Sequence, residues 1–165
     1  MSSNRDPWDN FDLSRWALDT PAPRDDDRCR AERTWDYQWD DSNPLDSSSR
    51  PFFFTHSDGG MRFVTRIDGQ TTNDSCNEGF VRSELREMLR RGDRDIDDTS
   101  VSRNNWKLGY QPGDDSDWGG VNGEMNATLR VNKVTTTGDS GQVGRVIIGQ
   151  IHADDDEPLL SLIHI

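Results

Sequence analysis

Lysine is nearly missing from this sequence: of its 19 basic residues only Lys107 and Lys133 are Lys, and the rest are Arg. Against them stand 31 acids, most of them Asp, for a net charge of −12. A chain this anionic repels nucleic acid and other polyanions in bulk, so no nucleic-acid partner is expected. The Asp-rich, Lys-poor balance suits a salt-adapted protein, because self-repulsion is tolerable once the Debye length falls to ~3 Å near 1 M salt. Cysteine is scarce as well. Cys29 and Cys76 are the only two, with no CxxC and no paired His spacing, which disfavours zinc. One disulfide in an exported protein and two separate thiols both remain open. No apolar run approaches the ~18 residues of a membrane span, and the opening Met1 to Asn10 lacks the basic and apolar regions of a signal peptide. No membrane partner is expected, and the chain carries no address of its own. Leu, Ile, Val and Phe together number 31 of 165 residues, just under the ~20% at which a highly charged chain is suspected of disorder. Six Trp, six Phe and 14 Gly argue instead for a folded, lean, β-rich core, and the length fits one domain.

The first fifty residues are polar and punctuated by Trp8, Trp16, Trp35 and Trp39, which reads as a solvated loop with aromatic anchors. Beyond them the texture changes to strand-like alternation. Phe63, Thr65 and Ile67 share one face of Arg62 to Asp68; Met125, Ala127, Leu129 and Val131 share one face of Met125 to Val134; Ile147, Gly149 and Ile151 oppose Val146, Ile148, Gln150 and His152. Turn clusters such as Asp58-Gly59-Gly60 and Gly138-Asp139-Ser140-Gly141 separate these runs. Short strands joined by Gly-rich turns predict an all-β sandwich. The acidic stretches Asp93 to Asp98 and Asp154 to Glu157 read as solvated turns rather than calcium loops, and His56 as a structural residue beside a turn.

Phe80 to Arg91 is ambiguous. Its Glu, Leu, Arg and Met favour a helix, and Val81, Leu85 and Leu89 recur at helical spacing. As a strand, Val81, Ser83, Leu85, Glu87 and Leu89 face one way, while Arg82, Glu84, Arg86 and Met88 face the other. The second reading sets two guanidiniums and a carboxylate in one line on a sheet surface. With four Arg and two Glu between Arg82 and Arg91, this is the only strongly basic island in the chain.

Arg82-Ser83-Glu84-Leu85-Arg86 and Gln150-Ile151-His152 resemble, in that order, the diagnostic motifs of the alginate lyases of polysaccharide lyase family seven. Met61 to Thr72, Ala127 to Val131 and Arg145 to His152 resemble the same family, so the likeness covers most of the chain after about residue 10. The resemblance implies an all-β jelly roll of two antiparallel sheets, a concave groove for the acidic polysaccharide alginate, and cleavage by β-elimination. No cofactor, no metal and a monomer are expected, and the extracellular substrate implies secretion.

The chemistry fits these side chains. The C5 proton of a uronate lies α to a carboxylate, so removing it adds negative charge to an anion, and the carboxylate must first be neutralised. Arg offers a permanently charged bidentate fork, and an amide adds a neutral donor. A base near neutrality then takes the proton; an imidazole with its ordinary pKa of ~6.5 suits. Arg82 and Gln150 are therefore the expected carboxylate neutralisers and His152 the base or its helper. Arg86 is expected to bind a neighbouring uronate and Glu84 to orient an Arg. The central Ile151 resembles the guluronate-accepting members. The family's C-terminal Tyr motif has no counterpart, because the only tyrosines are Tyr37 and Tyr110. An acidic-polysaccharide-binding jelly roll without chemistry is thus the alternative, and a paired-carboxylate hydrolase a third class. The odd spacing of Glu84 and Glu87 opposes the hydrolase. Leu160-Ser161-Leu162-Ile163-His164-Ile165 resembles one reading frame of a library adapter. Residues 1–159 are accordingly expected to be one incomplete lyase domain, 160–165 a non-native tail, and the chain by itself poorly folded and inactive.

Overall fold

The computed structural model describes residues 6–25, 30–39, 48–72, 79–97, 102–109, 112, 117–153 and 156–165. Cys29, Cys76, Tyr110, Asp154 and Asp155, singled out above, lie outside them. The chain is all-β, as expected of a jelly-roll lyase: nine strands and one four-residue helix, α1 (Pro7–Asn10), are found among the described residues. No helix there is long and apolar enough to cross a membrane. The chain divides into two units, Met1–Gly92 and Asp93–Ile165.

In the first unit, the described part of the polar opening is not a loop throughout. It holds β1 (Trp16–Pro23), buried along six successive residues, and β2 (Ala31–Thr34). With β5 (Glu84–Glu87) they form an antiparallel sheet in the order β2-β1-β5. Ala, Asp, Thr and two Pro make β1 illegible to strand propensity. Its geometry explains how the prolines are tolerated. β5 pairs only with Trp16 to Asp19, and the β2 register shifts between Thr20 and Pro23, so Pro21 falls in an irregular stretch, where no regular ladder N–H is lost.

The hairpin of β3 (Phe53–Thr55) and β4 (Met61–Phe63) turns through Gly59 at φ 88°, with the Gly60 amide donating to Asp58 Oδ1 at 3.0 Å. His56 Nδ1 lies 3.1 Å from Asp58 Oδ1 in the same loop. The alternation expected through Asp68 stops at Phe63. Arg66 donates to Asp68 at 2.8 and 2.7 Å and the Gly69 amide to Arg66 O, so local side-chain pairing closes a turn and leaves Ile67 69% exposed. Leu13, Leu18 and Phe53 form the core, with Trp8, Trp16, Trp39, Met61 and Leu85 against them. The Trp39 indole N–H donates to Trp16 O at 2.6 Å, which satisfies a polar edge inside that aromatic packing.

In the second unit, β6 (Trp106–Lys107) pairs in parallel with β7 (Gly120–Val121). The long β8 (Arg145–Ala153) pairs antiparallel with β9 (Asp156–His164), which includes residues 160–164. Met125 to Val134, the clearest alternation in the sequence, forms no paired strand among the described residues. Alternation specifies which side chains share a face; it does not supply the neighbour that closes the ladder. The segment does touch β8, because a Cβ at Gly149 would collide with Met125 Cε.

Candidate functional site

The segment Arg82 to Arg86 is extended, which settles the helix-or-strand ambiguity through its cross-strand partners. Leu85 lies opposite Leu18 and packs on the core, and Ser83 Oγ donates to Phe52 O at 3.1 Å on the same side. The intervening residues must face away from the core. Arg82 Nη1 and Glu84 Oε1 meet there at 3.1 Å, both about one-third exposed. Arg86 follows on the same face, opposite Ala17. Three of the expected site residues, Arg82, Glu84 and Arg86, thus lie on one sheet surface.

Two residues the motif reading missed share that surface. Asp19 of β1 is the cross-strand partner of both Glu84 and Arg33, so the three side chains form one row across β5, β1 and β2. Arg33 grips Asp19 in bidentate fashion, Nε to Oδ1 at 2.6 Å and Nη2 to Oδ2 at 2.9 Å. Two carboxylates facing each other would repel; here Arg33 draws Asp19 one way and Arg82 draws Glu84 the other. No sequence signal pairs residue 19 with residue 84, because the pairing is set by strand order.

Just past β5, Arg90 turns inward. Its Nη2 meets Asp36 Oδ1 at 3.1 Å, the side chains 6% and 0% exposed, and its guanidinium lies 5.1 Å from the Trp35 ring and 5.9 Å from Tyr37. Asp36 Oδ2 also accepts the Gly92 amide at 2.6 Å, just after Arg91 at φ 51°. Asp36 therefore fixes the turn that ends the Arg82 to Arg90 segment.

Gln150 and His152 lie on β8 in the other unit. The ladder there is not regular. Ile147 pairs with Leu162 and Gly149 with Ser161, which leaves Ile148 as an extra residue. That bulge puts Gln150 on the face of Ile147, Leu160 and Leu162, whereas strict alternation predicted the opposite face from Ile147. The flanking members of this face, Ile147, Leu160 and Leu162, are exposed at 43%, 46% and 44%. A second shift, between Ile151 and Ala153, falls on His152; its side chain is outside the described ones. Among the described residues no three His, Cys, Asp or Glu side chains cluster as a metal site.

A family model described as Alginate lyase matches residues 11–164. The chain belongs to this family. It is 48% identical over 158 residues, 93% of its own length, to a curated protein named Alginate lyase from Klebsiella pneumoniae. A crystal structure titled as the alginate lyase from Klebsiella pneumoniae superposes on 98% of the chain with a TM-score of 0.84 and 42% identity. The chain spans 48% of the first relative and 54% of the second, about half of each. The family match spans both motifs, Arg82 to Arg86 in the first unit and Gln150 to His152 in the second.

Proposed function

We propose that this member of the alginate lyase family acts on alginate by β-elimination, with Arg82 and Gln150 neutralising the carboxylate of the reacting uronate. His152 takes or helps take the C5 proton as the C4–O glycosidic bond breaks and a C4=C5 double bond forms; a proton from water goes to the departing oxygen, which leaves as a hydroxyl, and the proton held by the base is released to solvent. Arg86 binds a neighbouring uronate, and Glu84 orients Arg82. The observation that carries this reading is the Arg82, Glu84 and Arg86 row on one face of β5, with Ser83 and Leu85 turned to the core. It concentrates guanidinium on one surface of a chain whose net charge is −12. The 48% identity to a protein named for alginate cleavage supports the substrate. Such a polymer is met outside the cell, as a secreted enzyme would meet it.

The test is a chimera in which residues 11–164 replace the matching half of the Klebsiella relative, assayed for ultraviolet-absorbing unsaturated ends on alginate. Arg82→Ala should lower its turnover by at least ~100-fold, the typical loss for one preorganised donor. Reducing ends without that absorbance would mean hydrolysis, and retention of alginate without products would mean binding alone; either sinks the eliminase.

A further inference from the structure

Two aromatic residues of unit one, Trp35 and Tyr37, pair with each other outside its core cluster. Trp8, Trp16 and Trp39 pack on Leu13, Leu18 and Phe53, but Trp35 is not part of that cluster. It stacks instead on Tyr37, rings 5° from parallel and 6.3 Å apart, and Tyr37 is 39% exposed. The Arg33 guanidinium lies 5.0 Å from the Trp35 ring, and the Arg33 side chain keeps 26% exposure. We propose that Arg33, Trp35 and Tyr37 form a second binding station for a uronate residue of the polymer, beside the Arg82 row. The proposal rests on the alginate reading above.

The geometry that carries it is the row Arg33, Asp19, Glu84 across three adjacent strands. Neighbouring strands lie ~4.8 Å apart, so Arg33 stands about 10 Å from Glu84 on the same face. A polysaccharide lying across the strands meets the Arg82 and Arg86 guanidiniums first and then Arg33. Arg33 is already fixed by its two bonds to Asp19 and by the indole beside it, so holding a carboxylate costs little further side-chain ordering. Tyr37 adds what a charge cannot, a flat ring with only two side-chain torsions to order against the C–H face of a pyranose. Charge on the strip also favours an anion: Arg33, Arg82 and Arg86 outnumber Asp19 and Glu84.

The station predicts a dependence on oligomer length. The 165-residue chain is titrated calorimetrically with a guluronate dimer and a guluronate hexamer, alongside Tyr37→Ala and Arg33→Lys. Each variant should weaken the hexamer about tenfold, the scale of one aromatic or charge-assisted contact, and change the dimer by less than about twofold. Both keep the Asp19 side of the strip, Arg33→Lys by retaining a cation, and unfolding midpoints confirm that each variant is folded. Unchanged hexamer affinity in both variants, or an equal loss for dimer and hexamer, overturns the station and leaves the alginate reading standing. Failure of the unaltered chain to bind either oligomer overturns both.

Discussion

Removing the Asp36 carboxylate should be among the most damaging single changes available in the first unit. Asp36 and Arg90 are 0% and 6% exposed at their side chains, so Asp36→Ala takes the facing carboxylate from a guanidinium held away from water and also orphans the Gly92 amide that Asp36 accepts at 2.6 Å. Breaking a buried pair from one side typically costs ~3–5 kcal/mol. A urea slope of ~2 kcal/mol per molar then moves the unfolding midpoint down by about 2 M. Total stability of ~5–15 kcal/mol leaves a weakly stable parent at risk of unfolding outright, so the informative comparison is a cycle. Arg90→Met in its turn takes the facing guanidinium from buried Asp36, which keeps the Gly92 amide. The double variant Asp36→Leu with Arg90→Met replaces both charges by apolar groups and should recover the part of the loss that comes from a charge left without its opposite, while the Gly92 amide still lacks its acceptor. Tryptophan fluorescence suits the assay, since four of the six Trp precede Gly92. A midpoint shift under ~0.5 M for Asp36→Ala, or a double variant as unstable as the two singles added together, would refute the reasoning.

Salt should move stability and substrate affinity in opposite directions: with a net charge of −12, the melting temperature should rise from low to molar NaCl while affinity for alginate falls. A melting temperature that drops would remove the salt-adaptation reading. The hydrogen bond from Arg66 holds the Asp68 carboxyl below its ordinary range, so its contribution is present above the unfolded-state value and is lost as pH falls through the depressed one. Asp68→Asn should therefore separate from the parent in urea midpoint at neutral pH by a small margin that closes as pH falls through the depressed value, and a gap that persists unchanged into acid would contradict this. Gly120→Ala drives a methyl into the Trp106 ring and should cost ~1–3 kcal/mol in chemical denaturation of the second unit; a neutral result would mean the β6–β7 contact is looser than it looks.

Which parts of the fold could be read from the sequence followed from how local the determining interaction is. β8 was legible because Val, Ile and Gly alternate over a run long enough to carry its own signal, and the β3–β4 turn because Asp58-Gly59-Gly60 chooses its backbone by itself. β1 was not: its Ala, Asp and Pro say loop, and it becomes a strand because its neighbours β2 and β5 complete it and Leu18 sits in the core. The stretch Met125 to Val134 fails in the reverse sense. Its pattern says strand, yet an alternating surface with no paired backbone among the described residues is a face without a ladder.

The site divides along the same line. Arg82, Glu84 and Arg86 could be placed on one face as soon as the segment was taken as extended, since two-residue spacing on a strand is a local property. Asp19 and Arg33 could not, because their membership of that face depends on β1 lying between β2 and β5, a choice of neighbours that no spacing encodes. Gln150 shows a subtler failure. Two-residue counting from Ile147 put it on the wrong side, and a single extra residue at Ile148 reversed it. The bulge re-aims the amide to the exposed face without changing one residue of the motif. A Gln-Ile-His match therefore identifies the chemistry on offer, while the irregular ladder around it decides where that chemistry points.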